Sequence, residues 1–402
     1  MFKTIFFSFF KNKKFKGILE IEFQGKNFKF GQELSEEEKQ NKISFVKLKI
    51  LDKNFFRRII IFGDIGLGEA YINKEFTVSD LKSLFKWFLQ NQELLPGFND
   101  KNSKNRLFEW GKIFAQVTHL LNRNTIRGSK KNIHSHYDVS NDFYKLWLDE
   151  TMTYSCALFR NSDDLKQAQI NKYQAICAKA KLQNGDHILE IGSGWGGFSI
   201  YATQNYNCRV TTITISEEQY DYVKKKIKEL HLENKIEVVL KDYRDMEGEF
   251  DKIVSIEMME ALGHQYVPMF ISKCNELLKA GGKMVFQCIT YPDEDSFSEY
   301  LRNNNYIKKY IFPGGELISL RRLKKTIANN NNLNISFVES IGLHYAKTLN
   351  LWAKNLKAQK GKVLALGFDE KFYRKWYYYF VYCESGFETS YLDDVHIIID
   401  KK

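Results

Sequence analysis

Proline is scarce, with 4 in 402 residues, too few for long disordered or proline-rich linkers. The six cysteines, at positions 156, 177, 208, 274, 288 and 383, form no CxxC pair and no regular spacing. That excludes a zinc-ribbon pattern and suits reduced thiols, so no metal site is expected. No apolar run approaches the ~20 residues that a membrane-spanning helix needs. The opening MFKTIFFSFFKNKKFK is shorter, its charges follow the apolar run, and no small-residue cleavage site appears. A secretory signal is therefore not expected.

Acidic excess is also missing. The formal net charge is +11, and it is concentrated: residues 1–130 hold 24 Lys/Arg against 14 Asp/Glu, whereas the rest of the chain has 36 against 35. A basic end on a nearly neutral body points to an anionic partner, either nucleic acid or lipid headgroups. Solubilising surface lysine is the plainer alternative. The hydrophobic content of 44% with 27% charged residues is that of a globular chain, and the length suits two domains.

Short alternating runs over 18–60 (ILEIEFQ, NFKFGQ, SFVKLKILD) predict strands. VSDLKSLFKWFLQNQELL has helical spacing, with Ser79 or Asp80 as cap. These segments predict a small mixed α+β domain, followed by a helix and a basic connection over 101–135. From about 185, strands alternate with amphipathic helices: HILEIGSGWGGFSIYATQN, CRVTTITISEEQYDYVKKKIKEL, KIEVVLKDYRDM, FDKIVSIEMMEAL, GGKMVFQCIT. That rhythm predicts an α/β domain with a doubly wound parallel sheet.

The loop EIGSGWGGF, 190–198, ends a buried strand and opens a helix. Gly192, Gly194 and Gly196 permit a sharp turn and close backbone approach to a ligand. Such a loop alone would equally suit a dinucleotide. Glu190, however, stands just before the first glycine, and the second strand ends TITISEEQ with no acid in the usual dinucleotide position. A carboxylate there favours a cationic ligand and repels a pyrophosphate; the sulfonium and amino group of S-adenosyl-L-methionine fit. Upstream, TMTYSCALF places Tyr154, Ser155 and Cys156 side by side in apolar surroundings. Cys156 reads as core, nucleophile, ligand or pocket wall.

The chain resembles the cyclopropane-fatty-acyl-phospholipid synthases over nearly its whole length. The resemblance is carried by FGDIGLGEAY, HYDVSNDFYKLWLDETMTYSCALF, the glycine loop, ITISEEQ, MMEALGHQY, QCIT and YIFPGGEL. It implies a class I methyltransferase (Rossmann-like) catalytic domain over 116–402 and a lipid-binding domain over 1–115. It also implies methylene transfer from S-adenosyl-L-methionine to the cis double bond of unsaturated phospholipid acyl chains. The enzyme would be cytoplasmic and peripherally associated with the inner face of an anionic membrane, leaving a homodimer open. The excess charge lies away from the cofactor loop, which argues against a nucleic-acid methyltransferase.

Methyl transfer to an alkene leaves a carbocation, and ring closure needs a base. The resemblance implies bound bicarbonate in that role. Cys156 and Gln287 would hydrogen-bond it, Ile289 would contribute main-chain groups, Tyr345 its phenol, and Glu260 its protonated carboxyl. Well-known members carry histidine at the position of Gln287, which cannot titrate near neutrality. Loss of the proton elsewhere would instead yield a methylene-branched or, after reduction, methyl-branched chain. Glu257 and Glu260 in SIEMMEAL sit among apolar neighbours and are expected to have raised pKa values or firm partners. For the cofactor, the resemblance implies Tyr154 and Ser155 near the methionine end, with Glu190, Ile191, Gly192, Ser193, Gly194, Trp195 and Gly196 around it. Thr214, Ile215, Ser216 and Gln219 would hold the ribose, and Asp242, Tyr243 and Arg244 the adenine. Cys383 matches a cysteine sometimes assigned as catalytic.

Overall fold

Strand-forming alternation at one end and a βαβ rhythm further on produce two units in the computed structural model, which describes residues 1–39, 42–95, 140–291, 297–298, 300–301 and 305–402. The first unit comprises residues 1–121, 302–311 and 356–391; the second comprises 122–301, 312–355 and 392–402. The expected boundary at 115/116 lies outside the described residues. The second domain is not the continuous 116–402 anticipated, because two later stretches cluster with the first unit.

In the first unit, β1 (Ile18–Phe23) lies between β2 (Lys26–Phe30) and β3 (Phe45–Ile50), and β4 (Phe76–Val78) completes the sheet. Gln24 and Gly25, with φ of 51° and 74°, make the tight β1–β2 turn. Asp80, not Ser79, caps the helix Leu81–Gln90: its Oδ2 accepts from the Ser83 amide at 2.7 Å. FGDIGLGEAY belongs to the helix Asn54–Ile72 and gathers the later stretches. Asp64 accepts from the Tyr306 amide at 3.2 Å, Glu69 accepts from Lys309 at 2.8 Å and from Tyr310 at 2.6 Å, and Arg374 donates to the Tyr71 carbonyl at 2.8 Å.

The apolar start is built into this unit. Phe6 and Phe10 are buried, and the Phe6 ring lies 5.7 and 5.4 Å from those of Phe55 and Phe56. Those two rings are therefore committed to packing. Many of the unit's cations are paired: Lys29 and Lys47 with Glu20, Lys47 and Lys49 with Glu22, Arg58 with Glu69 and Glu75. Half of the excess charge, seven Lys/Arg against two Asp/Glu in 96–130, lies outside the described residues.

The second unit is an α/β sheet in the order β11-β12-β9-β8-β5-β6-β7. β5 (His187–Ile191), β6 (Arg209–Thr214), β7 (Ile236–Leu240), β8 (Phe250–Ile256) and β9 (Leu278–Tyr291) are parallel, as expected. The short β10 (Ile318–Ser319) joins β9 in parallel. The difference is at the far edge. β12 (Asp393–Lys401) runs antiparallel to both β9 and β11 (Leu333–Ser340), making the sheet mixed. Successive residues divide between two cores: Leu189, Ile253, Met284 and Phe286 join one, Ile188, Val254 and Val285 the other. Period-2 alternation thus buries both faces, and helices Val267–Leu277 and Leu165–Ala180 supply opposite layers. All six cysteines are free.

Candidate active site

The glycine loop leaves β5 and enters the helix Gly197–Tyr206. Its bend is held from below: the amides of Gly192 and Ser193 both donate to the Ile213 carbonyl at 3.0 Å, and that of Gly196 to Ser193 at 2.8 Å. Gly192, Gly194 and Gly196 all have positive φ, at 99°, 49° and 85°. A Cβ on Gly194 would meet nothing within 4 Å, so the loop's crest borders open space that a ligand can fill. Ile191 accepts from the Ser255 hydroxyl at 3.0 Å, the Ser193 hydroxyl donates to the Gly194 carbonyl, and Trp195 Nε1 donates to Asn141 at 2.7 Å.

Glu190 is engaged within the fold. Its Oε2 accepts from the Ser199 hydroxyl and, at 2.6 Å, from Thr212 Oγ1, and burial raises its pKa to about 7. It ties the strand before the loop to the helix after it, a bracing role beyond the charge pairing expected from sequence. At the end of β6, Thr214 donates to the Gln219 carbonyl oxygen at 2.8 Å, leaving the Gln219 amide hydrogens for another acceptor. Ser216 caps the helix Glu217–Glu229, and Ile215 beside it is half-buried. Past β7, Asp242 is partly buried, but the forked bond from Arg244 at 2.8 and 2.7 Å outweighs that burial and keeps its carboxyl below the usual range. The Tyr243 hydroxyl is buried without a partner among the described residues. Loop, ribose-side and adenine-side candidates thus occupy the carboxyl ends of β5, β6 and β7, where open α/β sheets bind ligands. This donor set and the open crest fit S-adenosyl-L-methionine.

Beside the loop stands a dense polar cluster. A Cβ on Gly192 would lie 3.3 Å from Met258, next to Glu257. Glu257 has a φ of 48°, a left-handed backbone conformation. The Cys156 amide and Gln287 Nε2 both donate to Glu257 Oε1 at 2.7 Å, and Tyr345 donates to Oε2 at 2.7 Å. Three residues expected to grip an anion therefore grip this carboxylate. The Cys156 thiol points to the Ala157 and Ile341 carbonyls, and burial pushes its pKa well up, so it is pocket wall and not an ionised nucleophile. Glu260 accepts from the Ile289 amide at 2.5 Å, while its Oε2 is buried with no partner among the described residues. Burial, then repulsion from Glu257, raises Glu260 to about 8. Both glutamates are raised as expected.

Three participants were missed. Lys172, fully buried on the helix Leu165–Ala180, donates to the Ser155 hydroxyl; burial lowers its pKa to about 8 even with Glu257 and Asp394 nearby. On β12, Asp394 accepts from Gln287 at 2.9 Å, and His396 Nε2 donates to Gln287 Oε1 at 3.1 Å. Burial pushes His396 down to about 4, so it is neutral, with Nδ1 accepting from Lys179. Burial also pushes Asp394 well up. Glu257, with three donors and the Lys172 charge, is the carboxylate best able to stay ionised. A lone lysine in helical spacing carries no sign of burial. The DDVHIIID stretch, with its polar residues among β-branched ones, was the available signal for β12.

Over this cluster, Tyr154 is walled by aromatic rings: Trp147 at 5.2 Å, Trp352 at 5.3 Å, Tyr144 at 5.7 Å and Phe312 at 6.3 Å. Tyr154, Glu257, Met258, Glu260 and Ile289 are each partly exposed. Cys383 lies in the first unit, on the helix Glu370–Glu388, and burial raises its pKa. It is not among the residues that meet at Glu257. Among the described residues, no cluster has the makings of a metal site, and no helix is long and apolar enough to cross a membrane.

Comparison with known proteins matches residues 124–397 to the mycolic acid cyclopropane synthetase family. The chain is 33% identical to the tuberculostearic acid methyltransferase UfaA1 of Mycobacterium tuberculosis over 84% of its own length and 79% of that protein. It is 38% identical to a probable fatty acid methyltransferase of Pseudomonas putida, covering 69% of this chain and 70% of that one. Among solved structures, the mycolic acid cyclopropane synthase CmaA1 complexed with SAH and CTAB superposes with a TM-score of 0.63 at 33% identity, covering 68% of this chain and 98% of that one.

Proposed function

The chain belongs to the mycolic acid cyclopropane synthetase family of S-adenosylmethionine-dependent lipid methyltransferases, and from that premise we propose that it adds one carbon across the cis double bond of unsaturated phospholipid acyl chains. The carrying observation is the conjunction of the open glycine loop with the aromatic rings packed around Tyr154 and the buried carboxylates of Glu257 and Glu260. The loop and the carboxyl ends of β6 and β7 would hold S-adenosyl-L-methionine, which supplies an electrophilic methyl carbon. The protein's own tasks follow from the product of that transfer, an acyl chain bearing a cationic carbon. The faces of Tyr154 and its neighbouring rings shield such a carbon from water and stabilise its charge. A fixed base then removes a proton. Taken from the added methyl, the proton leaves a cyclopropane ring.

A second reading is favoured by the similarity to proteins named as tuberculostearic acid and fatty acid methyltransferases: a hydride first shifts from the methyl-bearing carbon to the cationic carbon, the proton then leaves the added methyl, and the product is methylene-branched. Bicarbonate does not fit the groups expected to bind it, since the Cys156 amide, Gln287 and Tyr345 are engaged with Glu257 and the Ile289 amide with Glu260. The basic first unit supports work at an anionic membrane surface.

Incubating the protein with methyl-labelled S-adenosylmethionine and unsaturated phospholipid vesicles tests the function. Label in the lipid with a mass gain of one CH2 is expected, and upfield ring protons in the NMR spectrum separate the cyclopropane from the branched product. Absence of label from the lipid would refute the proposal.

A further inference from the structure

We infer that the Glu257 carboxylate is the general base of this enzyme, standing in place of a bound anion. The inference rests on the reaction proposed above and deepens it.

A carboxylate offers four lone-pair positions. In Glu257 the Cys156 amide and Gln287 Nε2 take both positions on Oε1, and the Tyr345 hydroxyl takes one on Oε2. Among the described residues, one position on Oε2 is left. Each of the three donors is itself fixed. Cys156 belongs to the buried TMTYSCALF segment, Gln287 is held by Asp394 and His396, and Tyr345 sits on the helix Gly342–Ala358 and is 4% exposed. A carboxylate so restrained presents a single acceptor site in one direction. That restraint answers the hazard of a carboxylate beside a carbocation, namely alkylation to an ester, because the group cannot advance to bonding distance without breaking three hydrogen bonds. The buried Lys172 compensates the charge, and Glu257 is only partly exposed as a residue.

The balance closes without another reactant. Once the methyl carbon is attached, the cationic acyl chain has one C–H bond too many. Glu257 Oε2 takes that proton, and the C–H electron pair forms the new C–C bond of the ring or the C=C bond of the branched product. The proton rests on the Glu257 carboxyl and passes to water when the product leaves.

The φ of 48° at Glu257 supplies the decisive variant, because glycine adopts that conformation without strain. Glu257→Gly removes the side chain and leaves the three donors facing a carboxylate-sized void. Wild-type turnover in carbon-dioxide-depleted buffer is expected to be the same with and without added bicarbonate. Turnover of Glu257→Gly is expected to fall by about 100-fold or more, with S-adenosylmethionine affinity by calorimetry unchanged, and to recover in part with added formate or bicarbonate. Glu257→Gln, which keeps the volume, should lose turnover and show no such rescue. Wild-type turnover that requires bicarbonate would overturn the inference, and so would a Glu257→Gly or Glu257→Gln enzyme that turns over normally. Failure of the wild type to label lipid under any condition would count against the proposed reaction instead.

Discussion

The Thr212 hydroxyl of β6 donates to the Glu190 carboxylate of β5 at 2.6 Å, in a site so enclosed that burial lifts the acid to about 7 from its ordinary 4.5. The folded-state pKa is raised, so this group's stabilising contribution is complete below about 4.5 and is lost as pH rises through about 7. Glu190→Gln keeps an oxygen for Ser199 and Thr212 and removes the charge. Its stability relative to wild type should therefore climb between pH 5 and pH 8, by up to about 3 kcal/mol. Urea unfolding at several pH values reads this directly; parallel pH profiles for the two proteins would contradict it.

Gly197 opens the helix after the loop, and a Cβ there would sit 2.2 Å from the Tyr173 hydroxyl. That hydroxyl is itself bonded to Thr153. Gly197→Ala should lower stability by about 1–3 kcal/mol through overpacking. Adding Tyr173→Phe should restore part of the loss by removing the clashing oxygen. Melting temperatures of the single and double variants suffice, and an unaffected Gly197→Ala would show that the helix start yields more easily than its packing implies.

Gly194 has a different liability. Its Cβ would enter open space, at a φ of 49°. Gly194→Val should cost about 1–2 kcal/mol of stability and weaken S-adenosylmethionine binding by at least about tenfold, because the side chain projects where the ligand is expected. Calorimetric titration tests it: unaltered affinity would remove the crest of the loop from the cofactor site.

Much of this was legible in the sequence. The positions of β5 to β9, the turn of the glycine loop and the capping aspartate of Leu81–Gln90 follow from period, glycine and cap chemistry, which are local. The assignment of donors was not local. Glu257 and Glu260 lie three apart in EMME, and nothing in that spelling reveals that a left-handed backbone at Glu257 turns one carboxylate toward Cys156, Gln287 and Tyr345. The arrival of Asp394 depends on β12 pairing beside β9, a contact between distant segments that no periodicity encodes. The packing of the aromatic start was not legible for a similar reason, since its partners Phe55 and Phe56 lie on another element.

Lys11 and Lys14 remain exposed at the end of that start. If the first unit meets anionic lipid, each contributes about 1 kcal/mol near the surface, and the attraction fades over a Debye length of ~8–10 Å. Lys11→Glu with Lys14→Glu should weaken binding to vesicles containing anionic lipid while leaving the buried Phe6 and Phe10 undisturbed. Added salt should have the same effect on wild type. Vesicle co-sedimentation that is indifferent to anionic lipid content and to salt would sink the electrostatic reading.

β12 brings Asp394 and His396 to Gln287, and of the segments that build the polar cluster it is synthesised last. The cofactor loop and its ribose- and adenine-side residues are complete long before. A growing chain, or one cut short before β12, would thus have the parts for holding the methyl donor while Gln287 stayed unanchored. Competence for the chemistry is therefore acquired in order, the donor site first and the anchoring of the Glu257 carboxylate through Gln287 last, so a chain without β12 would hold the methyl donor beside a base that lacks its full restraint.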